Sequence, residues 1–443
     1  MLSMRSLGRA VCLGASLFVA SGNTVAQLAN DNSPWEMFAN RLVKRLAIQD
    51  ASGKITNFQL VKEPVQADWA NPKYGEAFFY SFASQLTTPG EFYSKQDLTL
   101  HQQFKDFLLS LDLPPVNEAS RPAMNAARTK YEAALSGYQK IRLQEIKAWE
   151  QLEKAEARLP ANRKTNYDVW YAREFGAKMG LQKQRLDELA YDYARLLSDT
   201  FKGFAGIGGL IMGLENTGNK MMITHPGGRA ESVPAFNRAG DIEQFIAKGN
   251  SSEGFAETWE FDKSHERRAL NWSSGGGSAG VKIGWFSLGG SASSRKENLD
   301  ITKDSIGMVV KFKNFTTIDI SPGPWFSGDA IKTLWEGPYT QGAVGSKTKL
   351  FGPNGSFKPR VAKVVLVHRP TITLKLSASQ YNKVVESWSG SGSIGVGPFS
   401  FGGSKAGGKD ELTEDKANNS ITLEDKTGIP QIIAVYTVSY PQQ

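Results

Sequence analysis

Apolar residues recur every three or four positions in several stretches of the N-terminal half of the chain, the pattern of helices with one buried face. The first stretch begins with Ser33 and Pro34, which suit the cap and the first position of a helix. Its apolar positions are Trp35, Phe38, Leu42 and Leu46. Similar stretches follow near 74–86 and 98–111, and together they predict a small helical subdomain over residues 27–115.

The longest apolar stripe covers positions 124–159, in steps that alternate between three and four residues and are interrupted only by Glu145. A second stripe covers positions 172–196 and is interrupted only by Gln182. Such seams are typical of helices that pack side by side. They predict a long antiparallel αα-hairpin over residues 116–200. Core packing accounts for both stripes, and a face that binds a partner or a membrane is the alternative.

An uncharged apolar run interrupted by glycines follows at positions 204–214, in a segment that we interpret as this run and a linker, residues 201–257. The run is shorter than the roughly 20 residues of a membrane-crossing helix. Its texture suits a segment that enters a lipid headgroup layer, and equally a turn packed under the next domain. The membrane-contact candidates of this run are Phe204, Ile207, Leu210, Ile211 and Met212.

From about residue 258 apolar residues recur at every second position, as in half-buried antiparallel strands. Alternating apolar positions include Ile306, Met308, Val310 and Phe312, and later Ile372, Leu374 and Leu376. Glycine and proline mark turns at 321–324 and 352–355. This pattern predicts an all-β, sandwich-like domain over residues 258–443. The predicted fold class is therefore α+β with several domains, a helical N-terminal part followed by an all-β part.

The β part contains an internal repeat, with copies at about 272–320 and 388–439. From Gly284 onward, Phe, Ser, Gly, Gly, Ser, Lys, Leu and Lys recur at a constant offset of 113 residues. Upstream the offset shifts to 115 and 116 residues. So many matches in one register indicate two related hairpin units, a duplicated hairpin within the β domain.

The repeated segments also have the pattern of membrane-spanning strands. Residues 279–289 alternate apolar with small or polar side chains, over the ~9 to 11 residues that such a strand requires. Paired amphipathic hairpins of this kind are the inserting elements of β-pore-forming proteins. The alternative is a pair of curved, closely apposed strands in a soluble sandwich. The membrane-contact candidates here are Val281, Ile283, Trp285, Phe286, Leu288, Phe399 and Phe401.

The first 26 residues have the composition of a secretory signal peptide. Arg5 and Arg9 precede an apolar run at positions 10–20, and a small-residue cleavage pattern ends at Ala26. The predicted location is therefore extracellular, or periplasmic if the source is bacterial.

Cleavage after Ala26 would remove Cys12, the only cysteine, and with it any disulfide, thiol nucleophile or Cys-ligated metal. The four histidines lie far apart in the sequence, so neither a metal site nor a cofactor is expected. The formal net charge is +8, or +6 without Arg5 and Arg9, and it is spread along the chain. This distribution argues against nucleic-acid binding and is compatible with an anionic lipid or polysaccharide surface.

Aromatic residues offer a second kind of binding surface. Trp272, Trp325 and Trp388 stand next to Gly-, Ser- or Pro-rich stretches that are predicted to be loops. Exposed rings in such loops stack on sugars or lie at a membrane interface. Packing in the core is the alternative role for these rings.

These features favour a secreted, non-enzymatic protein that acts at a cell surface, either membrane-inserting or pore-forming. Its partner would be membrane lipid, and assembly into an oligomer of identical copies is compatible with the sequence. An extracellular adhesion or carbohydrate-binding module with a helical stalk, whose partner is a cell-surface glycan, is the second hypothesis. A secreted hydrolase that uses scattered carboxylates, such as those near Glu257 and Glu260, is the third.

Overall fold

The protein combines helices with antiparallel sheets and belongs to the α+β class. Its structure, a computed structural model, describes residues 34–48, 54–55, 57–112, 118–156, 165, 167–200, 207–226, 228, 230–261, 271–272, 286–288, 297–299, 307–343, 345–352, 354–391, 393–402 and 410–441. The predicted signal peptide lies outside these residues.

The helices of the described segments are distributed along the whole chain. They are α1 Pro34–Leu46, α2 Gly75–Ala83, α3 Leu100–Ser110, α4 Arg121–Ala155, α5 Tyr167–Tyr171, α6 Ala177–Thr200, α7 Ile207–Glu215, α8 Ile242–Ser251, α9 Gly328–Leu334, α10 Lys347–Phe351 and α11 Ala378–Ser391. A π-helical turn, Ala172–Gly176, joins α5 to α6. The predicted first helix is confirmed as α1, and the helix predicted near 98–111 is confirmed as α3.

The strands are likewise found in both halves of the chain. They are β1 Lys54–Ile55, β2 Phe58–Gln66, β3 Gln85–Thr87, β4 Lys95–Thr99, β5 Lys220–Thr224, β6 Ala230–Pro234, β7 Phe236–Ala239, β8 Glu257–Phe261, β9 Asn271–Trp272, β10 Phe286–Leu288, β11 Glu297–Leu299, β12 Met308–Pro322, β13 Arg360–Lys375, β14 Ser393–Val396, β15 Phe399–Gly402, β16 Glu411–Asp415, β17 Ser420–Glu424 and β18 Gln431–Val438.

The two long helices, α4 and α6, lie side by side and run antiparallel. The rings of Tyr131 on α4 and Tyr193 on α6 are 6.2 Å apart between centroids. Nearer the C-terminal end of α4, the ring of Trp149 lies 5.2 Å from that of Trp170 on α5, which leads into α6. Glu145, the polar residue within the longer stripe, is buried and pairs with Arg142 one turn earlier. Burial of that carboxylate is tolerated because the guanidinium group compensates its charge.

A large antiparallel sheet forms the centre of the molecule, built around the long strands β12 and β13. Its order is β16-β17-β13-β12-β7, with β8 also on β12 and with β18 and β3 also on β13. Strand β13 is interrupted at Arg369, whose φ is +47°, and at Pro370, which has no N–H to donate. This interruption divides the sheet into one half bearing β7 and β18 and another bearing β8, β16 and β17.

Helix α8 covers the interruption. The side-chain amide of Asn314 donates to the backbone carbonyl of Phe245, with an N–O distance of 2.9 Å. A Cβ at Gly249 would lie 2.2 Å from Nδ1 of His368, so only glycine permits this close packing. Burial lowers the pKa of His368.

The structure differs from two of the predicted domains. The segment 27–115, predicted as a helical subdomain with one short strand near 55–61, also contributes strands to the large sheet, because β2 pairs with β18 and β3 with β13. The segment 258–443 is not all-β, because it contains α9, α10 and α11. The spacing of apolar residues within a strand does not indicate which distant strand it pairs with. Helix α11 was not predicted because glycine and serine are frequent in its sequence.

Candidate functional site

Two long insertions interrupt the half of the sheet that bears β8 and β17. We define the first insert as residues 262–307, between β8 and β12, and the second insert as residues 376–419, between β13 and β17. In each case the strands before and after the insert are antiparallel neighbours in the sheet. Each insert therefore leaves the sheet and returns to it next to its starting point.

The two strand pairs that carry the inserts are equivalent at the 113-residue offset of the repeat. In the first pair, Trp259 lies opposite Val310. In the second, Ile372 lies opposite Leu423, and both residues are 113 positions further along the chain. The same holds for the flanking positions of both pairs. The two strand pairs therefore have equivalent registers, although the sequence matches just upstream of Gly284 follow offsets of 115 and 116 residues.

Strands from both inserts form one small sheet of their own, in the order β11-β10-β14-β15. Alternate residues of the three strands β10, β14 and β15 fall into two sets, because successive positions of a strand belong to opposite faces. The first set is Phe286, Leu288, Ile394, Val396, Phe399 and Phe401. The second set includes Ser287, Gly395 and Ser400. One set is apolar and the other is small or polar, so these three strands have an amphipathic pattern. The register of β11 sets Leu299 opposite Phe286 but Glu297 opposite Leu288, so the pattern does not extend over the whole of β11.

The apolar side chains of the second insert are hidden in the body of the protein. Ile394, Val396, Phe399 and Phe401 are all at most 1% exposed. The ring of Phe399 lies 5.9 Å from that of Phe38 on α1 and 5.9 Å from that of Phe312 on β12. The apolar face of the second insert thus packs against the large sheet and against α1.

Comparison with known proteins gives no relative for the chain. It matches no protein-family model, no curated protein and no solved structure. The function is therefore argued from the geometry of the inserts.

Helix α11 and strand β16, both in the second insert, are joined by a hydrogen bond. The hydroxyl of Tyr381 donates to Oε2 of Glu414 at 2.6 Å, and this bond raises the pKa of Tyr381 to about 12. Tyr381 and Val384 are buried against the same core as the small sheet. The second insert is therefore a connected unit of helix and strands.

A pair of carboxyl groups fastens the end of the second insert. The carboxylate of Asp410 accepts from the backbone N–H groups of Gly402, at 2.6 Å, and Lys426, at 2.9 Å. Burial raises the pKa of Asp410 to about 6, and the neighbouring carboxylate of Asp425 adds to the increase. Asp425 itself accepts from Thr427 and from Gln431. These hydrogen bonds give both carboxylates a structural role.

The proximity of Asp410 and Asp425 was not predictable from the sequence. Asp410 follows a glycine-rich stretch of the repeat, and its partner lies beyond the end of β17, so neither residue falls in a recognisable motif. Their proximity arises only when β15 and β17 are brought together.

Replacement of Asp410 by Asn should change how stability depends on pH. The folded-state pKa of about 6 lies above the ordinary value of 3.8, so protonation of Asp410 favours the folded state. Its contribution is fully present below pH 3.8 and is lost as the pH rises through about 6. The wild type should therefore gain free energy of unfolding relative to Asp410→Asn as the pH is lowered from 7 to 4. Urea denaturation of both proteins at each pH measures this difference.

Asp415 provides a control of opposite sign. The side chain of Asn418 donates to its carboxylate and lowers the pKa of Asp415. The stability that Asp415 contributes is present above its ordinary pKa and decreases as the pH falls through the lowered one. A pH profile for Asp410→Asn parallel to that of the wild type would contradict the assigned role of Asp410.

The structure places Ile211 and Leu210 of the glycine-interrupted run against the core. Ile211 is 1% exposed and Leu210 packs against the same cluster, while Met212 is partly exposed. The run forms α7, and the side-chain amide of Asn219 donates to the carbonyl of Gly213. In this conformation α7 uses Ile211 for packing, and the expected membrane contact of Ile211 stays a prediction.

The proposed surface role of Trp325 is also corrected. Its side chain is fully buried, its indole N–H donates to the carbonyl of Ala235 at 2.7 Å, and its ring packs against Phe104 and Phe236. Trp388 lies on α11, not in a loop, and is half-buried against the core. A fully buried ring has no face to offer a sugar.

Other candidates are placed only in part. Ile207 begins α7, Trp272 belongs to β9, and Phe286 and Leu288 belong to β10. Phe204, Val281, Ile283 and Trp285 lie outside the described residues.

Within the residues that the structure describes, none of the helices is long and apolar enough to cross a membrane. The same residues include no group of three or more His, Cys, Asp or Glu side chains arranged to hold a metal ion.

Proposed function

We propose that the protein is a secreted, non-enzymatic protein that inserts into membranes and forms pores, and that its two inserts are the inserting elements. The observation that carries this proposal is the amphipathic pattern of β10, β14 and β15 in the small sheet, to which both inserts contribute strands. In a membrane-spanning β-structure one face of each strand meets lipid and the other meets an aqueous lumen, which requires this alternation.

The position of the inserts in the large sheet supports a simple route to that state. Because each insert begins and ends on neighbouring antiparallel strands, an extended insert would continue an existing strand pair as a hairpin. The ranges 262–307 and 376–419 each exceed the roughly 20 residues needed for two spanning strands of 9 to 11 residues. Insertion would then leave β8, β12, β13 and β17 paired as they are.

The compact arrangement is, in this proposal, the storage form of the inserts. Apolar residues of β14 and β15 share one core with residues of the large sheet and of α1. Exposure to water of each large apolar side chain would cost about 1.5 to 3 kcal/mol. Lipid can replace the protein as the apolar environment, so the inserts would be released where a membrane is available.

The remaining features are consistent with action at a membrane. The net charge of +6 without Arg5 and Arg9 favours anionic lipid as the partner. The paired helices α4 and α6 would form the predicted αα-hairpin, a rigid arm. Burial of Trp325 removes one of the aromatic candidates on which the carbohydrate-binding alternative depends.

Release of an enclosed dye from vesicles tests the proposal. We expect the protein to release dye from vesicles of equimolar phosphatidylcholine and phosphatidylglycerol, and to act more slowly on phosphatidylcholine alone because the electrostatic attraction is lost. Absence of leakage over all lipid compositions and pH values tested would rule out pore formation. Binding to glycans without leakage would instead favour the adhesion hypothesis.

A further inference from the structure

The outer edge of β17 is the edge that faces away from β13. Through the repeat it corresponds to the edge of β12 that pairs with β13. The repeat relates β17 to β12, and the equivalent registers of the two strand pairs relate β13 to β8. Strand β12 has β8 on one side and β13 on the other, whereas β17 has β13 on one side and β16 on the other. Strand β16 therefore occupies the place where the repeating order would put another copy of β8.

Strand β16 matches this place imperfectly. On the core-facing side of the sheet it sets Leu412 opposite Leu423 and Glu414 opposite Ile421. The carboxylate of Glu414 faces an apolar row and is held by Tyr381 of the same insert. Short, acidic edge strands protect a sheet from pairing with another chain, and β16 has this composition.

Strand β8 would fit the same place better. At the equivalent positions it carries Trp259 and Phe261, both buried on the core-facing side. In the described part of the chain, β8 pairs with β12 and with no other strand.

We propose that β8 of a second copy of this chain replaces β16 on β17, so that copies assemble side by side through one continuous sheet. The pairing of β12 with β13 gives the register. Ile421 would lie opposite Phe261 of the partner subunit, and Leu423 opposite Trp259 of the partner subunit.

This inference rests on the proposed function, because β16 belongs to the second insert and leaves the edge of β17 when that insert extends. The contact is head-to-tail, since it joins two different edges, and such contacts generate rings when the rotation closes. A ring of copies would place the hairpins of all inserts side by side around one lumen.

Cysteine pairs test the contact and its register. In a chain with Cys12→Ser, the pair Glu260→Cys and Thr422→Cys would be opposed between copies. Within one copy these positions lie three strands apart, about 14 Å, which is too far for a disulfide. The pair Glu260→Cys and Glu424→Cys is the control, because it is displaced by two residues, about 7 to 8 Å.

On vesicles of equimolar phosphatidylcholine and phosphatidylglycerol, oxidation should give a ladder of covalent multimers with the opposed pair and monomers with the displaced pair. The pair Thr258→Cys and Glu424→Cys is also opposed and should give the same ladder, which covers the case that one double variant does not fold. Dye release is recorded from the same samples.

The outcomes separate the two proposals. Leakage with monomers only, or with equal ladders from opposed and displaced pairs, would overturn the edge contact and leave pore formation standing. A register-specific ladder without leakage would support the contact and contradict pore formation. Neither ladder nor leakage would overturn both.

Discussion

Protein with an oxidised Thr413→Cys/Thr422→Cys pair is expected to release no more dye than vesicles without protein. The two threonines are directly opposed on β16 and β17, so the disulfide fastens the end of the second insert to the sheet. Extension of the insert would carry Thr413 away from Thr422 by about 3.3 Å for each intervening residue. The disulfide and the extended hairpin are therefore mutually exclusive.

The controls for this experiment use the same protein and a neighbouring pair. Reduction should restore dye release in the Thr413→Cys/Thr422→Cys protein. The pair Thr373→Cys and Thr422→Cys joins two strands that stay paired in the proposal, and their hydroxyls are now 3.0 Å apart. Its oxidised form should release dye like the Cys12→Ser parent. Equal leakage from both oxidised proteins would show that the second insert does not need to leave β17.

Replacement of Phe399 by Ala should lower the free energy of unfolding by about 3 to 5 kcal/mol, because it removes a fully buried ring and leaves a cavity. The lost contacts include those with Phe38 and Phe312. Urea denaturation followed by tryptophan fluorescence measures the change.

Ser400→Ala is the matched control, since it changes the adjacent residue on the other face of the same strand. Its backbone N–H still donates to Gln431, and the change should stay within about 0.5 kcal/mol. Similar effects of the two substitutions would mean that the apolar face of the second insert is not what holds it against the body.

Elements with a strong local period were predictable from the sequence. The three- to four-residue spacing of Phe38 and Leu42 gives α1, because one helix face must be buried. The alternation from Met308 to Phe312 gives the start of β12 for the corresponding reason in a strand. The repeat likewise indicated that two segments of the β part are related.

Long-range arrangement was not predictable in the same way. Nothing in the local pattern of β2 specifies that it pairs with β18, because backbone hydrogen bonds are available to any partner. Alternation also marks Phe399 and Phe401 as one face of a strand without showing whether that face is covered. Helix α11 was missed because its apolar residues Tyr381, Val384 and Trp388 are diluted by serine and glycine.

The most direct test of the central proposal is the environment of the second insert on a membrane. Single cysteines at Ile394, Gly395, Val396, Phe399, Ser400 and Phe401, in the Cys12→Ser chain, would carry an environment-sensitive fluorophore. On vesicles, quenching by nitroxide-labelled lipid should be strong at Ile394, Val396, Phe399 and Phe401 and weak at Gly395 and Ser400. Quenching that is weak at all six positions, or that lacks this alternation, would contradict insertion of the second insert as a membrane-spanning hairpin.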